Sequence, residues 1–271
     1  MACRELDGYF HHMPTLDPAF AAMVGPIDES DCETYSTGGT TYRRCSKSVS
    51  IDVPSGSVLG TAGGDMVANG LDVGMRDQRI TLGFVSPEKH PSDIAHAACA
   101  TNYMEAVVRS AVEAMLGSYS GDYHRTTEPV CGGIMYDLAG TASGDWYFPG
   151  APTDHDDPHL ALVPNNVNPA FLTFSVGTSV ASLPTGTYSF APSADPASLV
   201  NRPFVDVVPG AVYCYEAIGT LVGAGLYSPV ARIVFLDLPD ATHLRIGSTS
   251  GPSTCGAGPF VMPPGATTFE R

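Results

Sequence analysis

The pattern of apolar and polar positions divides the chain into segments of different character. Residues 46–62 alternate apolar and polar side chains around a Pro-Ser-Gly turn, which predicts two short strands, and residues 78–85 predict another strand. Between residues 101 and 117 the apolar side chains recur at i, i+3, i+4 and i+7, which predicts a helix over about 102–116. The apolar stripe of this helix, which we expect to lie in a core, consists of Met104, Val107, Val108, Ala111, Val112 and Met115.

The second half of the chain has the texture of an antiparallel β protein. It follows a polar, turn-rich segment at 117–129 and contains eleven short strand candidates separated by Gly and Pro. These lie at 134–138, 145–148, 159–163, 171–176, 188–191, 204–208, 211–215, 231–238, 243–246, 260–262 and 267–269. We therefore predict a mainly β protein with a β domain at 1–88, a helical connector at 89–128, and an antiparallel β-barrel or sandwich at 129–271.

Charge and hydropathy limit the partners that this chain can have. Its 271 residues include 13 Lys and Arg against 28 Asp and Glu, a formal net charge of −15. Nucleic acids and anionic membrane surfaces attract basic proteins, so we expect neither as the main partner. No apolar run approaches the roughly 20 residues that a membrane-spanning helix needs, so we expect no membrane span.

Seven cysteines lie where disulfides would be useful. The spacing favours the pairs Cys32–Cys45, Cys99–Cys131 and Cys214–Cys255, each worth roughly 3–4 kcal/mol, with buried free thiols as the alternative. Such bridges predict an oxidising location, secreted, periplasmic or extracellular, although the first ten residues lack the basic and apolar regions of a signal peptide. The remaining Cys3 adds to the expectation that the domain begins upstream of the first residue given.

Three stretches of the first 88 residues resemble a known family. They are Tyr9-Phe-His-His-Met13 followed by Leu16, then the glycine-rich turn from Val53 to Gly64, and then the segment Gly70-Leu-Asp-Val-Gly-Met75. Together they are similar to the C-terminal part of an M23 (lysostaphin/LytM-type) zinc metallopeptidase domain. The resemblance covers about residues 8–88 and implies a degenerate, N-terminally truncated copy.

The resemblance also implies candidate site residues. His12 matches a catalytic histidine of the family, with His11 as the other register, and Asp72 falls at a zinc-ligand position. Gly70 stands where the family has a partner histidine, and the upstream His-x-x-x-Asp motif is missing. Catalytic zinc needs about three protein ligands and an open position, so we expect the frame without the peptidase chemistry.

A second candidate metal site is the dense cluster Asp154-His-Asp-Asp-Pro-His159. Calcium could bind through Asp154, Asp156 and Asp157, or zinc through His155 and His159, although we favour a solvated acidic loop and no cofactor.

Two further groups of residues have a chemical and a structural interpretation. The segment from His90 to His96, followed by Cys99, suggests a metal site or a Cys/His nucleophile pair, but we favour packing for His96 and a disulfide for Cys99. The segment Gly144-Asp-Trp146 with Tyr147 could form a sugar-stacking platform, although a single tryptophan in a β domain is more often core.

These observations predict a non-catalytic recognition protein of the cell envelope or extracellular space, whose partner is peptidoglycan, another glycan or a peptide. One alternative is a zinc-dependent M23-type endopeptidase that lacks its upstream ligands. Another is a carrier of small ligands with a hollow, lipocalin-like barrel.

Overall fold

The computed structural model describes residues 5–11, 13–37, 40–63, 71–118, 121–152, 158–222, 226–251 and 253–271. The mainly β class is confirmed. Most regular structure in the described chain is β-strand, and the helical elements are two short α-helices and several 3₁₀ turns. The chain divides into two compact units, one of residues 7–75 and one of residues 1–6 and 76–271. No helix in the described ranges is long and apolar enough to cross a membrane.

The smaller unit is built from short, local elements. Strands β1 to β6 are Leu6–His11, Thr15–Leu16, Cys32–Thr37, Thr40–Cys45, Gly60–Thr61 and Asp72–Asp77, and helix α1 is Pro18–Val24. Asp17 caps α1 because its carboxylate accepts the backbone N–H groups of Ala19 and Phe20. β2 pairs with β5, and β3 with β4 forms an antiparallel hairpin. None of the described residues of 7–75 is buried, whereas Asp77, the last residue of β6, is buried and belongs to the larger unit.

The larger unit begins with irregular chain before its main sheets. It contains 3₁₀ turns at Pro87–Lys89, Ile94–His96 and Ala100–Tyr103, the short strand β7 at Ala97–Ala98, and helix α2 at Ala106–Glu113. The predicted helix over 102–116 is therefore shorter than expected. Its predicted burial is wrong, because Val107 is 83% and Met115 72% exposed. A helical period identifies an apolar face, but it does not supply a neighbouring element to cover that face.

Two antiparallel sheets form the body of the larger unit. The six-stranded sheet has the order β14-β13-β11-β10-β9-β8, and the four-stranded sheet has the order β12-β15-β16-β17. The strands of the first are β8 Gly144–Trp146, β9 Leu160–Pro164, β10 Leu172–Val176, β11 Gly186–Phe190, β13 Gly219–Val222 and β14 Leu226–Pro229. Those of the second are β12 Val212–Tyr215, β15 Arg232–Asp237, β16 His243–Ser250 and β17 Thr267–Glu270.

The core lies between these two sheets. Side chains alternate between the faces of a strand, so Phe174 and Val176 of β10 point inward and meet residues such as Leu236 and Phe269 of the second sheet. One pair of edges is joined, because the backbones of Tyr147 and Glu270 exchange hydrogen bonds of 2.8 and 2.9 Å. Of the two predicted architectures, the structure has the sandwich.

The three predicted disulfide pairs are present, namely Cys32–Cys45, Cys99–Cys131 and Cys214–Cys255. Several predicted strands are absent. Residues 78–85, 134–138 and 260–262 are irregular, residues 204–206 form a 3₁₀ turn, and only Gly60–Thr61 is strand within 46–62. An apolar alternation becomes a strand only where a partner backbone is available, and here Ile134 and Leu138 remain exposed.

Candidate functional site

A groove of about 630 Å³ lies on the outer face of the six-stranded sheet. Its floor is set by the strand register, which places Asp145 opposite Ala161 and Ala161 opposite Ser175. These three side chains face outward because their neighbours Trp146, Leu160 and Val176 point into the core. The side chains in the centre of the floor are small, so a ligand can approach the sheet closely. We call this site the sheet groove.

Two irregular segments also line the sheet groove. Lys89, His90 and Ile94 belong to the segment that contains the 3₁₀ turns at Pro87–Lys89 and Ile94–His96. Gly177 and Thr185 lie in the connection between β10 and β11. The lining of the sheet groove thus combines a regular sheet with irregular segments.

Three ring side chains form one end of the sheet groove. The Tyr147 hydroxyl and His90 Nε2 share a hydrogen bond of 2.8 Å, and the His90 ring lies 3.9 Å from the ring of Phe84. The His159 ring contacts Tyr147 edge-on at 5.1 Å. Tyr147 is 6% exposed, and this burial, with the negative charges of Asp145 and Asp137, raises its pKa. Tyr147 therefore remains a neutral phenol at physiological pH.

His159 is the described member of the predicted metal cluster, and both of its ring nitrogens are used by the backbone. Its Nδ1 accepts the N–H of Phe148 at 3.1 Å, so its Nε2 carries the proton that is donated to the Pro152 carbonyl at 3.0 Å. A ring in this arrangement holds the β8–β9 connection in place and offers no lone pair to zinc. The other predicted ligands, Asp154, His155, Asp156 and Asp157, lie outside the described residues.

The charged groups near the sheet groove are paired. Lys89 Nζ lies 3.4 Å from a Glu270 carboxylate oxygen and 5.6 Å from the centre of the Tyr147 ring. Beneath the floor, the Arg271 guanidinium lies 4.0 Å from the Trp146 ring centre and donates to the carbonyls of Leu138, Thr141, Ser143 and Asp145. Burial lowers the pKa of Arg271, and those carbonyls compensate for its lost hydration.

Trp146 belongs to the core, as we favoured from the sequence. Its side chain is fully buried, and its indole N–H donates to the Ala142 carbonyl at 2.9 Å. It therefore presents no face on which a sugar could stack. His96 is also a packing residue, since its Nδ1 contacts the Ile80 carbonyl at 2.6 Å, while Cys99 is in its disulfide.

The positions suggested by the M23 resemblance lie in the smaller unit. His12 and Gly70 fall outside the described residues, whereas Asp72 is the exposed first residue of β6 and has an interaction partner. The alternative histidine, His11, lies 4.6 Å from the ring of Tyr9. Within the part of the chain that the structure describes, no three His, Cys, Asp or Glu side chains converge as a metal site would require.

Sequence reasoning missed Lys89, His90 and Ser175 as members of one site. The available signal was weak, namely small or polar residues at the outward positions of three predicted strands, and nothing in the chain order relates residue 90 to residue 147. The alternation of side chains along these strands could have indicated that Asp145, Ala161 and Ser175 face outward. Only the tertiary fold brings Lys89 and His90 to the same groove.

Comparisons of the chain with protein-family models, with curated proteins and with solved structures find no match. The M23 resemblance therefore stays a prediction.

Proposed function

We propose that this protein is a non-catalytic recognition module that binds a segment of a glycan or peptide in the sheet groove. The observation that carries the proposal is a groove of about 630 Å³ in which Lys89, His90, Tyr147 and His159 already have hydrogen-bond or ion-pair partners within the protein. A groove of this size is within the range of sites that hold small ligands. Because these side chains already have partners, the groove is suited to binding a ligand rather than to catalysing its conversion.

The state of each group at the ring end supports binding over catalysis. A general base or nucleophile needs a pKa near the working pH, whereas the pKa of Tyr147 is raised. The two ring nitrogens of His159 are occupied by backbone groups. Lys89 is paired with Glu270.

The lining favours a polar ligand with an apolar side. Ser175 and Thr185 contribute exposed hydroxyl groups, while Ala161 and Ile94 contribute apolar surface. Saccharide rings and extended peptides both combine hydrogen-bonding groups with C–H surfaces. The filled aromatic core argues against the hollow interior that a lipocalin-like carrier needs, and it supports a site on the outside of the sheet.

Three disulfides are typical of proteins from oxidising compartments. We therefore place the proposed binding function in the extracellular space or the cell envelope, where peptidoglycan and other glycans are available.

Calorimetry with three probes tests the proposal: a disaccharide tetrapeptide fragment of peptidoglycan, a neutral cello-oligosaccharide and pentaglycine. We expect at least one to bind, and we expect Ser175→Trp to weaken that binding tenfold or more because the indole fills the floor. Thr220→Trp is the matched control, since Thr220 is exposed on β13 of the same sheet but lies outside the groove.

Failure of all three probes to bind would refute the proposal, as would equal effects of the two tryptophan substitutions. The peptidase alternative has a separate test. Stoichiometric zinc that is lost on Asp72→Ala would favour the metal-dependent hydrolase over the recognition module.

A further inference from the structure

The hairpin of β3 and β4 carries a pair of exposed aromatic side chains. Tyr35 lies directly opposite Tyr42, and their rings are stacked with centroids 5.5 Å apart and an interplanar angle of 21°. Each side chain is 45% exposed. Two adjacent tyrosines of this exposure form an apolar patch with polar hydroxyl groups, which is typical of recognition surfaces.

The hairpin is held in shape independently of a core. The Cys32–Cys45 disulfide joins the first residue of β3 to the last residue of β4. Nearer the turn, the hydroxyls of Ser36 and Thr41 form a hydrogen bond of 3.0 Å. An isolated two-stranded hairpin is marginally stable in water, so these cross-links preorganise the tyrosine pair.

A cation without a partner lies on the same face as the tyrosines. Arg44 opposes Glu33, and both lie two residues from a tyrosine, so the alternation of the strands places all four on one face. Every other Lys or Arg in the described part of the chain has a side-chain hydrogen bond or an ion pair, whereas Arg44 has neither. On the opposite face, Arg43 is paired with Glu29.

We infer that this face of the hairpin is a second binding site, whose ligand is a saccharide that carries a single carboxylate. The C–H face of the sugar packs against the tyrosine pair, and the carboxylate receives the fork of Arg44 donors. A monoanion is favoured over a polyanion because the protein carries a net charge of −15, which repels highly charged ligands. This site lies in the smaller unit and is separate from the sheet groove.

Binding of cellobiouronic acid, with cellobiose as the neutral ligand of the same ring structure, tests this inference in the full chain carrying Ser175→Trp, which fills the sheet groove. We expect the acid to bind at least tenfold more tightly than cellobiose at low ionic strength, and the preference to shrink in salt. Arg44→Gln removes the preference. Arg43→Gln is the matched control, because it makes the same charge change on the other face and is expected to alter affinity less than threefold.

Two further variants are expected to change the affinity for cellobiouronic acid in opposite directions. Glu33→Gln removes a negative charge from the binding face and is expected to strengthen binding of the acid two- to fivefold, while Tyr42→Leu weakens it. Ser175→Trp in the sheet groove leaves this site unchanged, so failure here is distinguishable from failure of the proposed function. Equal affinity for acid and neutral sugar, equal effects of Arg43→Gln and Arg44→Gln, or preference for an acidic peptide would overturn the inference.

Discussion

The sandwich and the β3–β4 hairpin are both antiparallel and both contain a disulfide, yet they are stabilised in different ways. The sandwich buries Phe174, Phe190, Phe204 and Tyr215 against one another, with ring centroids 4.8–5.8 Å apart. In the unit that contains the hairpin, none of the described residues is buried. Hydrophobic burial thus dominates in one region, and local pairing with a covalent link dominates in the other.

This difference teaches where the two proposed sites can tolerate change. The sheet groove rests on a packed layer, so its floor is rigid as long as the core is intact. The face of the β3–β4 hairpin that carries Tyr35 and Tyr42 does not rest on a packed layer in the described structure. Its geometry depends on the Cys32–Cys45 disulfide and on the pairing of the two strands.

The same substitution in the two regions should have very different costs. Phe174→Ala removes a fully buried ring from the centre of the sandwich, whereas Phe10 is 49% exposed on β1. We expect Phe174→Ala to lower the free energy of unfolding of the sandwich by about 3–5 kcal/mol. Phe10→Ala should change stability by less than about 1 kcal/mol. Urea denaturation of both variants gives the comparison, and similar costs would contradict it.

Removal of the hairpin disulfide should act locally. The double substitution Cys32→Ser with Cys45→Ser opens a loop with a sequence separation of 13, which in the chain-entropy model costs about 3 kcal/mol. Hydrogen exchange should show loss of protection in β3 and β4 while the urea midpoint of the sandwich stays unchanged. If the hairpin amides remain protected, the strand pairing alone suffices and the contrast between the regions is weaker than we infer.

A smaller effect is expected from a single hydroxyl group inside the sandwich. Tyr215 is fully buried, and this burial raises the pKa of its hydroxyl well above the ordinary value. Among the described residues, that hydroxyl has no hydrogen-bond partner. Tyr215→Phe removes an unsatisfied polar atom and should raise the free energy of unfolding by about 1 kcal/mol.

The matched control for this prediction is Tyr213→Phe. The Tyr213 hydroxyl lies 3.4 Å from both the N–H and the carbonyl of Val208, so its loss should lower stability slightly. Differential scanning calorimetry of the two variants should show shifts of opposite sign. A lower melting temperature for Tyr215→Phe would contradict the prediction.

Much of the fold could be predicted from local sequence. The alternation in 171–176 and 231–238 identified strands that occur at Leu172–Val176 and Arg232–Asp237, because these segments have partners on both sides. The pairs of cysteines followed from their spacing around turns and strands. The strand predicted at 134–138 was wrong, since a local pattern carries no information about whether another backbone is within reach.

The candidate site was harder to predict for the same reason. Trp146 could be assigned to the core from composition alone, but the hydrogen bond between His90 and Tyr147 joins residues 57 positions apart. In the sequence His159 was one of two candidate zinc ligands, with His155, although we favoured a solvated acidic loop. Its actual partners are two backbone groups that become adjacent only when β8 and β9 pair.

By itself, the sequence determined the mainly β class, the disulfide pairs and the acidic character of the surface, because each depends on residue type and short spacing. Tertiary structure alone decided that the helix at Ala106–Glu113 leaves Val107 in solvent and that Lys89, His90 and Ser175 line one groove. It also decided that Arg44, within the described part of the chain, has no side-chain hydrogen bond or ion pair and lies on the same strand face as two stacked tyrosines. The exposure of a side chain, its hydrogen-bond and ion-pair partners, and the residues that share its site all depend on which distant segments come into contact. The sequence pattern specifies only the residue types and local structure of each segment.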